Sequence, residues 1–181
     1  MMKKMSLMVL GLIAILGVAG CSVADMETGF SANEVVVYND GDLVITSEKT
    51  VFEVMPEGNT AITPKWNYTK NVWRFEQELR RYYRSGGTVY VSGQLLVRAG
   101  VNNIAYNKVV GIRYTKNNWS SFTDANGFWT FHNQYSNIDV FDILSDSNIQ
   151  PGTAVKYAIY YKVNGATYWD NNNGKNYIAQ F

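Results

Sequence analysis

The sequence predicts an all-β chain built as an antiparallel sandwich or barrel. Three observations predict it. Short β-branched and aromatic runs recur from Glu34 to Phe181, with turn residues between them. Asp40-Gly41, Asn126-Gly127 and Asn164-Gly165 punctuate those runs as hairpin turns do. From Thr88 onward no segment sustains a helical period.

Met1 to Cys21 reads as an address. Lys3 and Lys4 precede an apolar run from Leu7 to Val18 that is short for a bilayer span and has the flanks of a secretory signal. Val18-Ala19-Gly20-Cys21 resembles the lipobox of bacterial lipoprotein signal peptides. That resemblance implies that residues 1–20 are a signal peptide and that Cys21 carries lipid. The chain would then be exported and anchored to a bacterial membrane, at the cell surface or outer membrane. Each buried acyl methylene contributes roughly 0.8 kcal/mol, so two or more chains anchor where one would not. Residues 21–33 are then a lipidated tether of small and polar residues.

Residues 34–85 form a β-rich N-terminal extension of unknown role. Glu34–Tyr38 and Leu43–Thr46 flank Asp40-Gly41 as a hairpin, and Val51–Met55 is a third candidate strand. Residues 56–71 look like a loop containing Trp66 and Tyr68. Trp73–Arg84 has a helical composition, but its side chains also alternate. Ser85-Gly86-Gly87 leads directly into a strand, which fits a hairpin better. In residues 86–181, candidate strands fall at 88–98, 108–115, 128–132, 138–144, 153–163, 166–170 and near 176–181.

Composition excludes several functions. Of 181 residues, 46% are hydrophobic and 17% charged, a globular balance. Without residues 1–20 the chain has 14 basic against 15 acidic residues, so electrostatics give no case for nucleic acid. A single cysteine and a single histidine exclude an internal disulfide and Cys- or His-rich metal sites. No metal or other cofactor is expected. His132 reads as a surface or strand-end histidine. Asp124, Asp139, Asp142 and Asp170 are the carboxylates a glycosidase would need, but none lies in a recognisable catalytic motif. No catalytic residue is expected.

Aromatic residues make up 14% of the chain, and residues 86–181 hold seventeen of them beside fourteen asparagines. A flat ring matches the C–H face of a pyranose, and an asparagine amide both donates and accepts as neighbouring sugar hydroxyls do. Asparagine also favours turns, so composition alone leaves both readings open.

Order and spacing go further. Asn103-Ile104-Ala105-Tyr106-Asn107-Lys108 precedes Ile112-Arg113-Tyr114-Thr115 and Asn118-Trp119; later comes Tyr168-Trp169-Asp170-Asn171-Asn172-Asn173-Gly174-Lys175-Asn176-Tyr177. From about Gly93 to Tyr177 these blocks resemble carbohydrate-binding module family 21, the starch- and glycogen-binding domains. The resemblance implies an immunoglobulin-like antiparallel β-sandwich that binds α-1,4-glucan without cleaving it. Trp119 and Trp169 match the family's stacking platform. Asn103 and Asn171 match polar contacts near it, and Asn176 matches a further asparagine. Tyr106 and Lys108 match a second sugar-contacting patch. Arg98–Asn102 adds residues before Asn103, which implies a displaced loop. Ala158 stands where the fungal member has tyrosine, and Tyr160 on the same strand face is the candidate substitute. Tyr168 and Trp169 are strand neighbours, so Tyr168 is expected in the core and Trp169 outside. Asp170 either braces the asparagine turn or touches sugar. The expected partners are α-glucan, the membrane through Cys21, and neighbouring surface glycan-degrading proteins. A structural or protein-binding surface lipoprotein with the same sandwich is the alternative.

Overall fold

The structure, a computed structural model, describes residues 34–52 and 70–181. Cys21, Trp66 and Tyr68 lie outside them, as does most of the candidate strand 51–55. The strands are β1 (Val35–Asn39), β2 (Val44–Val51), β3 (Val72–Arg84), β4 (Val89–Asn102), β5 (Lys108–Thr115), β6 (Thr123–Asn126), β7 (Phe128–Asn133), β8 (Ile138–Leu144), β9 (Ala154–Val163), β10 (Ala166–Asp170) and β11 (Tyr177–Gln180). They form an antiparallel sandwich of two sheets. One has the order β1-β2-β3-β4-β8-β7. The other runs β10-β9-β5-β6, with β11 also paired to β9. The all-β, immunoglobulin-like class that the sequence implied is the class observed.

Period-two alternation builds the core. Val110, Ile112 and Tyr114 of β5 point inward, as do Val155, Tyr157, Ile159, Tyr161 and Val163 of β9. They meet Leu79 of β3, Leu95, Val97, Ala99 and Val101 of β4, and Phe141 and Ile143 of β8. Tyr157 is fully buried, donates to Gln77 Oε1 at 2.7 Å and receives Arg74 Nη1 at 3.0 Å; burial pushes its hydroxyl up to about 12.

Trp73–Arg84 is strand, and a 3-10 turn at Ser85–Gly87 joins it to β4. The two strands pair from Val72↔Val101 to Arg84↔Val89, so the N-terminal extension completes the first sheet. Val51 belongs to β2, and residues 53–55 of the candidate strand 51–55 lie outside the described residues. Thr123–Asn126 is a strand not expected from the sequence, because its polar residues carry little β signal. Arg98–Asn102 continues β4. The alternation of β3 also slips at a bulge between Arg74 and Glu76. That bulge turns Arg74 toward Tyr157, while Trp73 and Phe75 pack with Ile138 and Val140 in a separate cluster.

Candidate functional site

The outer face of the second sheet carries most of the candidate residues. On β9, Lys156, Ala158, Tyr160 and Lys162 alternate with the inward residues and so face away from the core. The register aligns Trp169, Tyr160, Gly111 and Asn126 in one row across four strands. Trp169 is 44% exposed, whereas Tyr168 packs against the core. Beneath Trp169 the Tyr160 ring lies edge-on, with centroids 5.7 Å apart and an interplanar angle of 64°. Tyr160 is 1% exposed and donates to Asn126 Oδ1 at 2.6 Å. It crosses β5 at Gly111, where a Cβ would sit 2.4 Å from the tyrosine oxygen. Glycine is therefore required for this ring to lie flat.

The next row holds Ala158, Arg113 and Asp124. Arg113 Nε and Nη2 each donate to Asp124 at 2.7 Å, a forked pair that holds the Asp124 carboxyl below its ordinary value. The guanidinium lies 4.1 Å over the Phe122 ring and 5.5 Å from the Trp169 ring.

Trp119 sits half-buried on the loop between β5 and β6. Asn117 organises that loop. Its Oδ1 accepts from Thr115 Oγ1 and from Ser121 N, each at 2.9 Å, while Trp119 N donates to Thr115 Oγ1 at 3.0 Å. Lys156 Nζ donates to Asn118 Oδ1 at 2.6 Å, which ties the loop to the outer face of β9. Asn118 and Trp119 have φ of 55° and 71°. A bulky residue in the left-handed region stores strain of order 1–3 kcal/mol, held here by those bonds.

The asparagine run after β10 is mainly a turn. Asn172, Asn173 and Asn176 have φ between 53° and 60°, the conformation asparagine tolerates best after glycine. Asn171 is exposed, and its Oδ1 accepts from Gly174 N at 3.0 Å. Asp170 is 2% exposed and braces the strand: it accepts from Tyr177 hydroxyl at 2.7 Å, Arg74 N at 3.2 Å and Lys70 Nζ at 3.2 Å. The Arg74 guanidinium stacks between Phe52 and Tyr177, 3.3 and 3.8 Å from their ring centroids.

A cleft of about 1140 Å³ opens beside this face, lined by Asn103, Tyr106, Lys108, Trp129, His132, Asp139 and Thr167 among others. Tyr106 is 96% exposed. Lys108 is buried and pairs with Asp139 and Asn103. Asp139 also lies 2.8 Å from His132 Nδ1 and accepts from Trp129 Nε1 at 3.4 Å. Burial pushes the Asp139 carboxyl up, but the bonds from Lys108 and His132 outweigh it and hold the group below its ordinary value. Among the described residues no cluster of three His, Cys, Asp or Glu could hold a metal ion.

Several candidates therefore sit otherwise than the spacing implied. The resemblance sets Asn103 near the Trp119 and Trp169 rings, whereas the end of β4 delivers it to the cleft beside Lys108. Tyr160 shares the outer face but supports Trp169 from beneath instead of presenting its own ring. Lys108 is neither a solvated strand lysine nor a free ligand, since its ammonium is held by Asp139. Asn176 serves the turn. Arg113, Phe122 and Trp129 were missed as site residues. Only the register, which sets Asp124 opposite Arg113, marks the first two.

The described residues thus form a β-sandwich with an exposed tryptophan on a braced outer face. The chain belongs to carbohydrate/starch-binding module family 21, which it matches over residues 67–180. It is similar to protein phosphatase 1 regulatory subunit 3B of Bos taurus, 41% identical over 81 residues, covering 42% of this chain and 28% of that protein. The Danio rerio regulatory subunit 3C-B is 38% identical over 81 residues, covering 42% of this chain and 25% of its own length. The match thus spans less than a third of those relatives. Among solved structures, the starch-binding domain of Rhizopus oryzae glucoamylase in complex with β-cyclodextrin and maltoheptaose gives a TM-score of 0.39 at 26% identity, covering 48% of this chain and 80% of that one. The carbohydrate-binding module of the muscle glycogen-targeting subunit of protein phosphatase-1 gives 0.42 at 21%, covering 60% and 74%.

Proposed function

We propose that this chain binds α-1,4-glucan without cleaving it, with Trp169 and Trp119 as stacking surfaces and Asn171 beside them. Membership of the family supports the ligand class. The observation that carries the site is Trp169, exposed on an outer face and held in place by a buried tyrosine. An indole held at a fixed angle offers a sugar its flat face without first losing rotamer freedom. A hydrogen bond from Lys156, on the outer face of β9, to Asn118 ties the Trp119 loop to this face.

The cleft is the second sugar patch, with Tyr106 and Trp129 as rings and Asn103 as a polar contact that Lys108, itself held by Asp139, keeps in place. Its chemistry favours binding over hydrolysis. Glycoside hydrolysis ordinarily needs two opposed carboxylates, and the cleft lining holds one, Asp139, already engaged by Lys108 and His132. Incubation with amylopectin or glycogen tests the function. Binding without release of reducing sugar is expected, with an affinity on the order of 10 μM to 1 mM. Release of reducing sugar, or selective retention on cellulose or chitin, contradicts it.

The lipobox-like Val18–Cys21 supports display of this module on a bacterial membrane through lipid on Cys21. Cys21→Ser is expected to leave the membrane fraction; unchanged partitioning refutes the anchor.

A further inference from the structure

The forked pair Arg113–Asp124 and the Phe122 ring share the face that carries Trp169, and they have an arrangement no core requires. Phe122 is 55% exposed, and the Arg113 side chain is a third exposed. Asp124 takes two of the five guanidinium donors, Nε and one of Nη2, leaving three N–H groups in the guanidinium plane. That plane rests on Phe122 at 4.1 Å and reaches toward Trp169 at 5.5 Å, both within cation–π range. An arginine already locked by a carboxylate and a ring loses little further freedom when it donates to a ligand. Asp124 also neutralises its charge, which suits an uncharged ligand.

We infer that Arg113 and Phe122 are glucan-contacting residues: Phe122 continues the stacking surface of Trp169, and Arg113 donates its remaining N–H groups to the vicinal hydroxyl pair of the sugar between the two rings. This rests on the glucan reading above. A sugar that lays its C–H face on a ring turns its hydroxyls to the rim of that ring. A planar, forked donor in the gap between two rings is placed to meet such a pair. Asp124 is a positioning residue, since it touches the guanidinium and not the sugar.

The test is calorimetric titration of the full chain with β-cyclodextrin and with permethylated β-cyclodextrin, whose hydroxyls are capped. Phe122→Ala and Arg113→Lys are compared with the wild type, with folding checked by near-ultraviolet circular dichroism. Phe122→Ala is expected to weaken β-cyclodextrin binding about threefold to fivefold, because an exposed ring is removed. Arg113→Lys keeps the charge but loses the plane and fork, so it is expected to weaken binding about fivefold. It should also narrow the preference for uncapped over capped cyclodextrin, a readout that mere loosening of the sheet would not move. Added salt should leave wild-type affinity nearly unchanged. Wild-type binding with both variants at wild-type affinity overturns this inference alone. Arg113→Lys weakening binding to both cyclodextrins equally overturns the hydroxyl contact. Failure of the wild type to bind either one overturns the glucan reading itself.

Discussion

Replacing Asp170 separates a structural brace from a sugar contact. The carboxylate is 2% exposed and accepts three hydrogen bonds, at 2.7 Å from Tyr177 hydroxyl and at 3.2 Å from Arg74 N and Lys70 Nζ. In Asp170→Ala the Tyr177 hydroxyl and the Arg74 amide lose their acceptor in a site that admits little water. Each stranded group costs about 1–3 kcal/mol. Lys70 is 38% exposed and re-solvates, so its share is small. The loss is then about 2–6 kcal/mol, which spans the range for breaking a buried charged contact. Against a total stability of about 5–15 kcal/mol, that is a large fraction. Asp170→Asn keeps one acceptor and should lose about half as much. Urea unfolding followed by tryptophan fluorescence measures both. Glucan affinity of the asparagine variant, assayed where it is fully folded, should equal that of the wild type. A stability loss below about 1 kcal/mol for the alanine variant would refute the brace. Weakened binding by a folded Asp170→Asn would assign the carboxylate to the sugar.

Trp169→Ala should weaken glucan binding about tenfold with little effect on the urea midpoint, since the ring is already half in water; a large stability loss would return the residue to the core. Gly111→Ala places a Cβ 2.4 Å from both the Tyr160 oxygen and the Ala125 carbonyl, so differential scanning calorimetry should show a loss of about 1–3 kcal/mol, with binding weakened through the tilted Trp169. Asp139 has a lowered folded pKa, so the stability it contributes is fully present above its unfolded value of about 3.9 and disappears as pH falls through the folded value. Acid titration of unfolding should therefore show wild type and Asp139→Asn well separated at neutral pH and converging in acid; a constant gap would contradict the Lys108–Asp139–His132 arrangement.

The fold was legible because its signals are local. Alternating Val110, Ile112 and Tyr114 reveal an inward face without knowledge of any neighbour. Adjacency in one strand likewise places Tyr168 inside and Trp169 outside. The site was less legible because alternation assigns a face but not what covers it. Tyr160 faces outward as its position dictates, yet Trp169 and Asn126 enclose it. Lys108 meets Asp139 from 31 residues away, and no spacing rule reaches that far. The consecutive asparagines read as a hydrogen-bonding surface, whereas backbone geometry accounts for Asn172 and Asn173, and for Asn176 beyond them.

The position of β9 has a consequence for how the protein comes into being. This strand lies between β5 on one side and β10 and β11 on the other, so the second sheet has no centre until residues 154–163 are available. The strands β1 to β4, by contrast, pair in the order in which they are made. During synthesis the first sheet can assemble early, while β5 waits with one edge bare, a state prone to wrong pairing. The row from Trp169 to Asn126 closes only after that wait. A nascent or truncated chain would thus be unable to hold sugar, and the ability to bind is a sign that the last strands have docked.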